Sequence, residues 1–150
     1  MSIWFNKAIT LSGIKDFGAN TMSAYLGIEW TEIGEDYLKL RMPVNEKTKQ
    51  PYGFLHGGAS CVLAETGGSV ASWLVIDGEK SACVGLEINA NHVRSATNGY
   101  VTAVCQPLHL GNTTHVWDIK IYDDLQKLIC VSRLTVAIIS KDKLSFNVST

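Results

Sequence analysis

The sequence predicts an α+β domain in which a curved antiparallel sheet folds against one long central helix. Three observations predict it: two alternating segments suited to a hairpin, one apolar run of helical length without proline, and four later segments rich in β-branched residues. A sheet and a helix each present an apolar face, so the two layers are expected to pack on each other.

The first third of the chain is predicted to hold short helices, a hairpin and a loop. Segment 7–26 mixes polar and apolar residues at roughly helical spacing between glycines, which indicates one or two short helices. Alternation from Ile28 to Val44, interrupted at Gly34-Glu35-Asp36, predicts two strands joined as a hairpin. Segment 45–55 is polar, contains proline and glycine, and is predicted to be a loop.

The rest of the chain is predicted to be a helix followed by strands. The helix extends from Gly57 to about Ile76 and stops at Asp77-Gly78. Turn-forming pairs separate four later strands, for which an antiparallel meander is expected. These strands span roughly residues 82–93, 99–110, 114–123 and 128–140. Residues 141–150 lack a clear period and are expected to form a loosely held tail.

Length and charge limit the number of domains and the kind of partner. The 150 residues contain no linker-like segment, which predicts a single domain over residues 1–150. The 13 Lys and Arg nearly balance the 14 Asp and Glu, so neither nucleic acid nor an anionic membrane is an expected partner. A small anionic ligand stays possible, because a few placed donors can hold a phosphate.

The cysteines, the N-terminus and the long apolar run bear on the compartment. The four cysteines lie in apolar runs without a CxxC pair, which predicts reduced core residues: Cys61, Cys83, Cys105 and Cys130. No basic stretch followed by a long apolar region opens the chain, so a cytoplasmic location is expected. A membrane span is not expected, because the long run contains a carboxylate, glycines and serines and lacks basic flanks.

Glu65 is the only carboxylate in the predicted long helix, which contains no amine. A lone carboxylate among apolar residues either points to water or has a function, because burial of the charge is unfavourable. Its neighbours on the helix favour a function, since none is strongly hydrated. They are Gly58, Cys61, Val62, Gly68, Ser69, Ser72 and Ile76. The small residues from Gly67 to Ser72 predict a close approach by a second copy, by a thin ligand or by both.

His56-Gly57-Gly58 lies at the start of this helix, where free N–H groups and the positive end of the helix dipole can receive an oxyanion. Gly57 and Glu65 are eight residues apart, which is about 12 Å along one helix axis. They are therefore too distant to act on one carbonyl within one chain. If both serve one reaction, Gly57 of one subunit meets Glu65 of another across a twofold axis, which predicts a dimer.

The segment QPYGFLHGGASCVLAETGGS, from Gln50 to Ser69, resembles the active-site signature of hotdog-fold thioesterases of the aryl-CoA (4-hydroxybenzoyl-CoA) type. The similarity continues through VGLEINANHVR (residues 84–94) and CQPLHLGNTTHVWDIKIYD (residues 105–123). The chain closely resembles the bacterial subgroup that hydrolyses 1,4-dihydroxy-2-naphthoyl-CoA, together with its sister that proofreads aryl-carrier proteins. The resemblance implies a hotdog fold and a homotetramer built as a dimer of dimers.

The same resemblance implies roles for individual residues. Glu65 would be the catalytic carboxylate, and the Gly57 amide would polarise the thioester carbonyl. His56, Gln50 and Ser69 would position substrate or water. A site between subunits is also implied, which agrees with the distance along the helix.

A further set of residues resembles the CoA-binding segments of the family. Relatives tend to read HHRP or HLRP where this chain reads HVRS, so the usual proline is missing and the following turn is less constrained. The Arg94 guanidinium either offers a fork to a CoA phosphate or is a solvated charge at a strand end. The residues implied in CoA contacts are His92, Arg94, Ser95, His109, Gly111 and Asn112.

The expected reaction is hydrolysis of an acyl-CoA or aryl-CoA thioester, in which Glu65 either attacks the carbonyl or deprotonates a water. No Gly-x-Ser-x-Gly elbow is present and the four histidines lack metal-ligand spacing, so neither a serine nucleophile nor a metal is expected. No cofactor is expected, because the CoA thioester is the substrate. Two alternatives stay open: proofreading of groups on a phosphopantetheine carrier protein, and a non-catalytic acyl-CoA-binding module.

Overall fold

The computed structural model describes residues 1–144, which form a six-stranded antiparallel sheet and a long helix. The elements are α1 (Leu11–Ile14), α2 (Met22–Tyr25), β1 (Glu29–Ile33), β2 (Leu38–Pro43), α3 (Gly57–Val75), β3 (Ser81–His92), β4 (Tyr100–Leu110), β5 (Thr114–Asp123), β6 (Leu128–Ser140) and a 3₁₀ turn (Lys141–Lys143). Every predicted helix and strand is confirmed to within a few residues. Of the predicted tail, residues 145–150 lie outside the described residues.

The strand order is β1-β2-β4-β5-β6-β3, and all neighbouring pairs are antiparallel. The predicted meander is confirmed for β4, β5 and β6 but is wrong for β3. That strand pairs with β6, from Ser81 opposite Ser140 to His92 opposite Cys130, and forms one edge of the sheet. Alternation along a strand sets which face a side chain occupies, but the choice of neighbour depends on long-range packing.

Two glycines let α3 lie very close to its own sheet. A Cβ at Gly67 would lie 2.5 Å from Cys105 Sγ, and one at Gly68 would lie 2.5 Å from Leu134 Cδ2. The prediction that this small-residue segment receives a second copy or a ligand is therefore wrong for Gly67 and Gly68. The sheet contacts α3 through five of its strands: β2, β3, β4, β5 and β6. It therefore covers more of the helix surface than one narrow stripe of side chains.

All four cysteines are free thiols, but only Cys105 and Cys130 are buried, whereas Cys61 and Cys83 are half-buried. Within residues 1–144, no helix combines the length and the apolar character that crossing a membrane requires.

Candidate active site

Helix α3 starts with one N–H group capped and another free. His56 is the N-cap residue, and its Nδ1 accepts a hydrogen bond of 2.8 Å from the Gly58 N–H. No residue within 1–144 accepts a hydrogen bond from the N–H of Gly57. Because it lies at the positive end of the helix dipole, this N–H can bind an oxyanion or a polarised carbonyl oxygen.

A cavity of about 410 Å³ opens beside this turn. Its lining brings together five of the residues predicted to form the site: Gln50, Gly57, His92, Arg94 and Ser95. The His92 ring lies directly on Gly57, since a Cβ there would be 2.7 Å from His92 Nε2. Gln50 Oε1 accepts a hydrogen bond from the N–H of Tyr52, so the side-chain amide hydrogens of Gln50 are free to donate to a ligand.

Glu65 lines a separate cavity of about 340 Å³. Its carboxylate lies against Gly85 of β3, where a Cβ would overlap Oε1, next to a register shift between Gly85 and Glu87. Burial raises the pKa of the Glu65 carboxyl. Among residues 1–144 this carboxylate has neither a hydrogen-bond partner nor an ion-pair partner, so no donor offsets the loss of hydration.

Ser69 lies one turn beyond Glu65 on α3 and is half-buried. Its backbone carbonyl accepts the Cys83 thiol at 3.6 Å, which ties α3 to β3 near the carboxylate. The Ser69 side chain lines neither the Gly57 cavity nor the Glu65 cavity.

The predicted site residues around the β4–β5 turn lie away from the Gly57 cavity and from the Glu65 cavity. Gly111 and Asn112 line a cavity of about 290 Å³ together with Val75 at the end of α3. His109 lies beside them, because a Cβ at Gly111 would be 2.5 Å from His109 Nε2. Within one chain, the structure does not bring this set to the cavity of Gly57.

His115 and Ser72 form a buried polar network that the sequence analysis does not predict. His115 is 2% exposed, and its Nδ1 lies 3.1 Å from Ser72 Oγ. Trp117 Nε1 donates to the same oxygen at 2.7 Å. Burial lowers the pKa of His115, and nearby His109 lowers it further. The alternation of β5 contains the signal for this network, because it places positions 115 and 117 on one face.

Known proteins similar to this chain are thioesterases and related hydrolases. The family described as the thioesterase superfamily matches residues 52–130. The chain is 54% identical over 137 residues to the 1,4-dihydroxy-2-naphthoyl-CoA hydrolase of Escherichia coli (strain K12), covering 91% of this chain and 99% of that protein. It is 46% identical over 137 residues to the proofreading thioesterase EntH of Cronobacter turicensis, covering 91% and 98%. A crystal structure of a mutant thioesterase PA1618 from Pseudomonas aeruginosa matches with a TM-score of 0.90 at 45% identity, covering 93% of this chain and 99% of that chain.

The antiparallel sheet around α3 is accordingly the hotdog fold that the resemblance implied, and this chain belongs to the thioesterase superfamily.

Proposed function

We propose that this protein hydrolyses the thioester of an acyl-CoA or aryl-CoA, with Glu65 as the reacting carboxylate and the Gly57 N–H as the oxyanion donor. The observation that supports it most is the setting of Glu65: a carboxylate beside an apolar cavity, without a partner in residues 1–144, whose pKa is raised by burial. Such an arrangement is unfavourable for stability, and perturbed groups of this kind concentrate at functional sites. The named activities of the relatives support the same reaction.

In the proposed reaction the thioester carbonyl oxygen accepts a hydrogen bond from the free N–H of Gly57. The α3 dipole stabilises the negative charge that develops on this oxygen. Ionised Glu65 either attacks the carbonyl carbon, giving a mixed anhydride that water then hydrolyses, or takes a proton from an attacking water. On either route the C–S bond breaks and CoA leaves as a thiol. Its sulfur takes the proton that Glu65 removed from the attacking water or, on the anhydride route, a proton from the water that hydrolyses the anhydride. His56, Gln50 and Ser69 position the substrate or the water.

We propose that each site is shared between two copies of the chain. Gly57 and Glu65 of one chain line separate cavities, as about 12 Å of helix rise requires. Strand β3 offers a place for the second copy, because it is an edge strand that exposes Val84 and Leu86. An open edge is a template for another strand, so two β3 strands pair about a twofold axis in the proposed dimer. Two such dimers form the proposed homotetramer.

The CoA portion is assigned to the residues that the family resemblance implies. Arg94, with His92 and Ser95 in the cavity of Gly57, binds a CoA phosphate in this proposal. His109, Gly111 and Asn112 contact CoA from another subunit, since they lie away from that cavity within one chain. The four free thiols suit the reducing cytoplasm, which we propose as its location.

A carrier-protein thioester is the second candidate substrate, because the EntH relative is a proofreading thioesterase. The two candidates differ in what holds the phosphopantetheine arm. One acyl group presented on CoA and on a purified carrier protein, each assayed for kcat/KM by thiol release, decides between them. A higher kcat/KM for the CoA thioester supports the first proposal, and a higher value for the carrier thioester supports the second.

Substitution of Glu65 tests the reaction itself. We expect Glu65→Ala to lower kcat on acyl-CoA and aryl-CoA thioesters by about 10³-fold, because the nucleophile or base is lost. Glu65→Asp keeps the charge but shortens its reach, and a large loss is expected there too. The matched control is Glu79→Ala, which removes an exposed carboxylate just after α3. Normal turnover by the Glu65→Ala variant would refute the mechanism.

Coexpression of two inactive variants tests whether the site is shared. Gly57→Pro removes the N–H at a helix position that tolerates proline, and its Cβ also displaces the His92 ring within the same site. Glu65→Ala removes the carboxylate. A mixed dimer would contain one intact site and one doubly altered site. Random assembly should therefore restore about a quarter of the wild-type activity, because half of the dimers are mixed. If both groups acted within one chain, the mixture would stay inactive.

A further inference from the structure

The cavity beside Glu65 has the composition of a site for an apolar group. Its volume of about 340 Å³ lies within the range of about 300–1,000 Å³ that small-molecule sites occupy. Among the residues of 1–144 that line it, Glu65 is the only charged one. The others are Met22, Ser23, Cys61, Val62, Thr66 and Ile88.

The lining residues come from elements of unequal rigidity. Cys61, Val62 and Thr66 belong to α3, and Ile88 belongs to β3, two elements that pack on each other. Met22 belongs to α2, a helix of four residues that buries none of its side chains. The Met22 side chain is 58% exposed, so it covers the cavity from the solvent side without being part of the core.

Helix α2 is held in place by few interactions. The Tyr25 N–H donates to the Thr21 carbonyl at 3.1 Å, and the Leu26 N–H donates to the Met22 carbonyl at 3.0 Å. Lys47 Nζ lies 4.7 Å from the centroid of the Tyr25 ring, a cation–π contact with the loop that precedes α3. A single helical turn has little stability of its own, so α2 can adjust its position without disturbing the core.

We propose that Met22 determines which acyl groups this enzyme accepts. The cavity takes the apolar part of the acyl or aryl group next to Glu65, α3 and β3 form its fixed sides, and Met22 forms the adjustable side that limits size. Methionine suits this role, because its unbranched thioether adapts to different shapes and makes favourable contacts with aromatic rings. The inference rests on the proposed thioesterase function.

The test compares two substitutions of opposite size over a series of thioesters. Butanoyl-CoA, octanoyl-CoA, benzoyl-CoA and 2-naphthoyl-CoA are assayed by thiol release with the wild type, Met22→Ala and Met22→Trp. One methylene in an apolar pocket changes kcat/KM by about 10-fold to 200-fold. We therefore expect Met22→Ala to shift the octanoyl-to-butanoyl and naphthoyl-to-benzoyl ratios by about tenfold or more toward the larger group. Met22→Trp should shift them the opposite way.

The control is Leu125→Ala, which shortens a side chain that is 74% exposed in the β5–β6 turn and lines none of the three cavities described above. Its ratios should equal those of the wild type. Because Met22 is largely exposed, thermal unfolding of both Met22 variants should match that of the wild type.

The wild-type measurements distinguish failure of the proposed function from failure of the role of Met22. A wild type that hydrolyses none of the four thioesters refutes the proposed activity on acyl-CoA and aryl-CoA and, with it, the role of Met22, which rests on that activity. An active wild type whose ratios change by less than about threefold in both variants leaves that function intact and overturns the role of Met22. An equal loss of kcat/KM on all four substrates also overturns it, because Met22 would then affect the reaction and not the choice of substrate.

Discussion

Two of the polar side chains on helix α3, Glu65 and Ser72, lie in opposite environments. They are seven residues apart, about two turns, so the helical wheel places them on nearly the same face. Ser72 is fully buried and contacts two polar partners, whereas Glu65 is half-buried and has none within residues 1–144. A buried polar group with all its partners stabilises a fold, while an unpartnered charge marks the place where a ligand is expected.

The partners of Ser72 explain its burial. Trp117 donates to Ser72 Oγ, and the hydroxyl can donate to Nδ1 of a neutral His115. The lowered pKa of His115 favours that neutral form. The network therefore joins α3 to β5 without leaving a buried charge. At Glu65 the neighbouring strand β3 contributes Gly85, which makes room for the carboxylate, and no donor within residues 1–144 reaches it.

Of the effects that the comparison of Glu65 with Ser72 predicts, the largest is a loss of activity on substitution of Gly85. In Gly85→Ala the new Cβ would overlap Glu65 Oε1 and displace the carboxylate. We expect kcat/KM to fall by about 100-fold, because catalysis is sensitive to misplacement of about 1 Å, while the free energy of unfolding changes by less than about 1 kcal/mol. Gly78→Ala is the control, since a Cβ there meets only Trp73 Nε1 at 3.8 Å. Full activity of the Gly85→Ala variant would show that this contact does not place Glu65.

Removal of the Ser72 hydroxyl should lower the stability of the fold and leave catalysis unchanged. Ser72→Ala leaves the Trp117 N–H and His115 Nδ1 buried without their common partner. We expect a loss of about 1–3 kcal/mol in the free energy of unfolding, measured in urea, with kcat per folded molecule unchanged. Ser12→Ala, which removes an exposed hydroxyl on α1, should change neither quantity. A large fall in kcat for Ser72→Ala would mean that the network also positions the site.

The same contrast shows how far the sequence could predict this molecule. Alternation, turn residues and the proline-free run predicted the strands and α3, because these signals are local. The partner of β3 and the burial of Ser72 depend on how far the sheet extends around the helix, which no local pattern encodes. The helix rise did predict that Gly57 and Glu65 lie in separate places within one chain. That Met22 lines the cavity of Glu65 could not be predicted, since α2 and α3 are distant in sequence.

The smallest expected effect concerns the pH dependence of stability. Burial raises the pKa of Glu65, so the folded state binds its proton more tightly than the unfolded state does. Stability is then lost as pH rises from the ordinary glutamate pKa through the raised one, and the loss persists at neutral pH. Glu65→Gln removes it, so this variant should be more stable than the wild type at pH 7 and equally stable well below pH 4.

The measurement is the difference in free energy of unfolding between Glu65→Gln and the wild type, from urea titrations at several pH values. His115 has the opposite influence, because its lowered pKa makes stability rise with pH. It is present in both proteins, so its contribution cancels in the difference. The same titrations of Glu79→Gln, which alters an exposed carboxylate just after α3, serve as the control. If the difference for Glu65→Gln did not change with pH, burial would not perturb Glu65, and the contrast with Ser72 would lose its electrostatic basis.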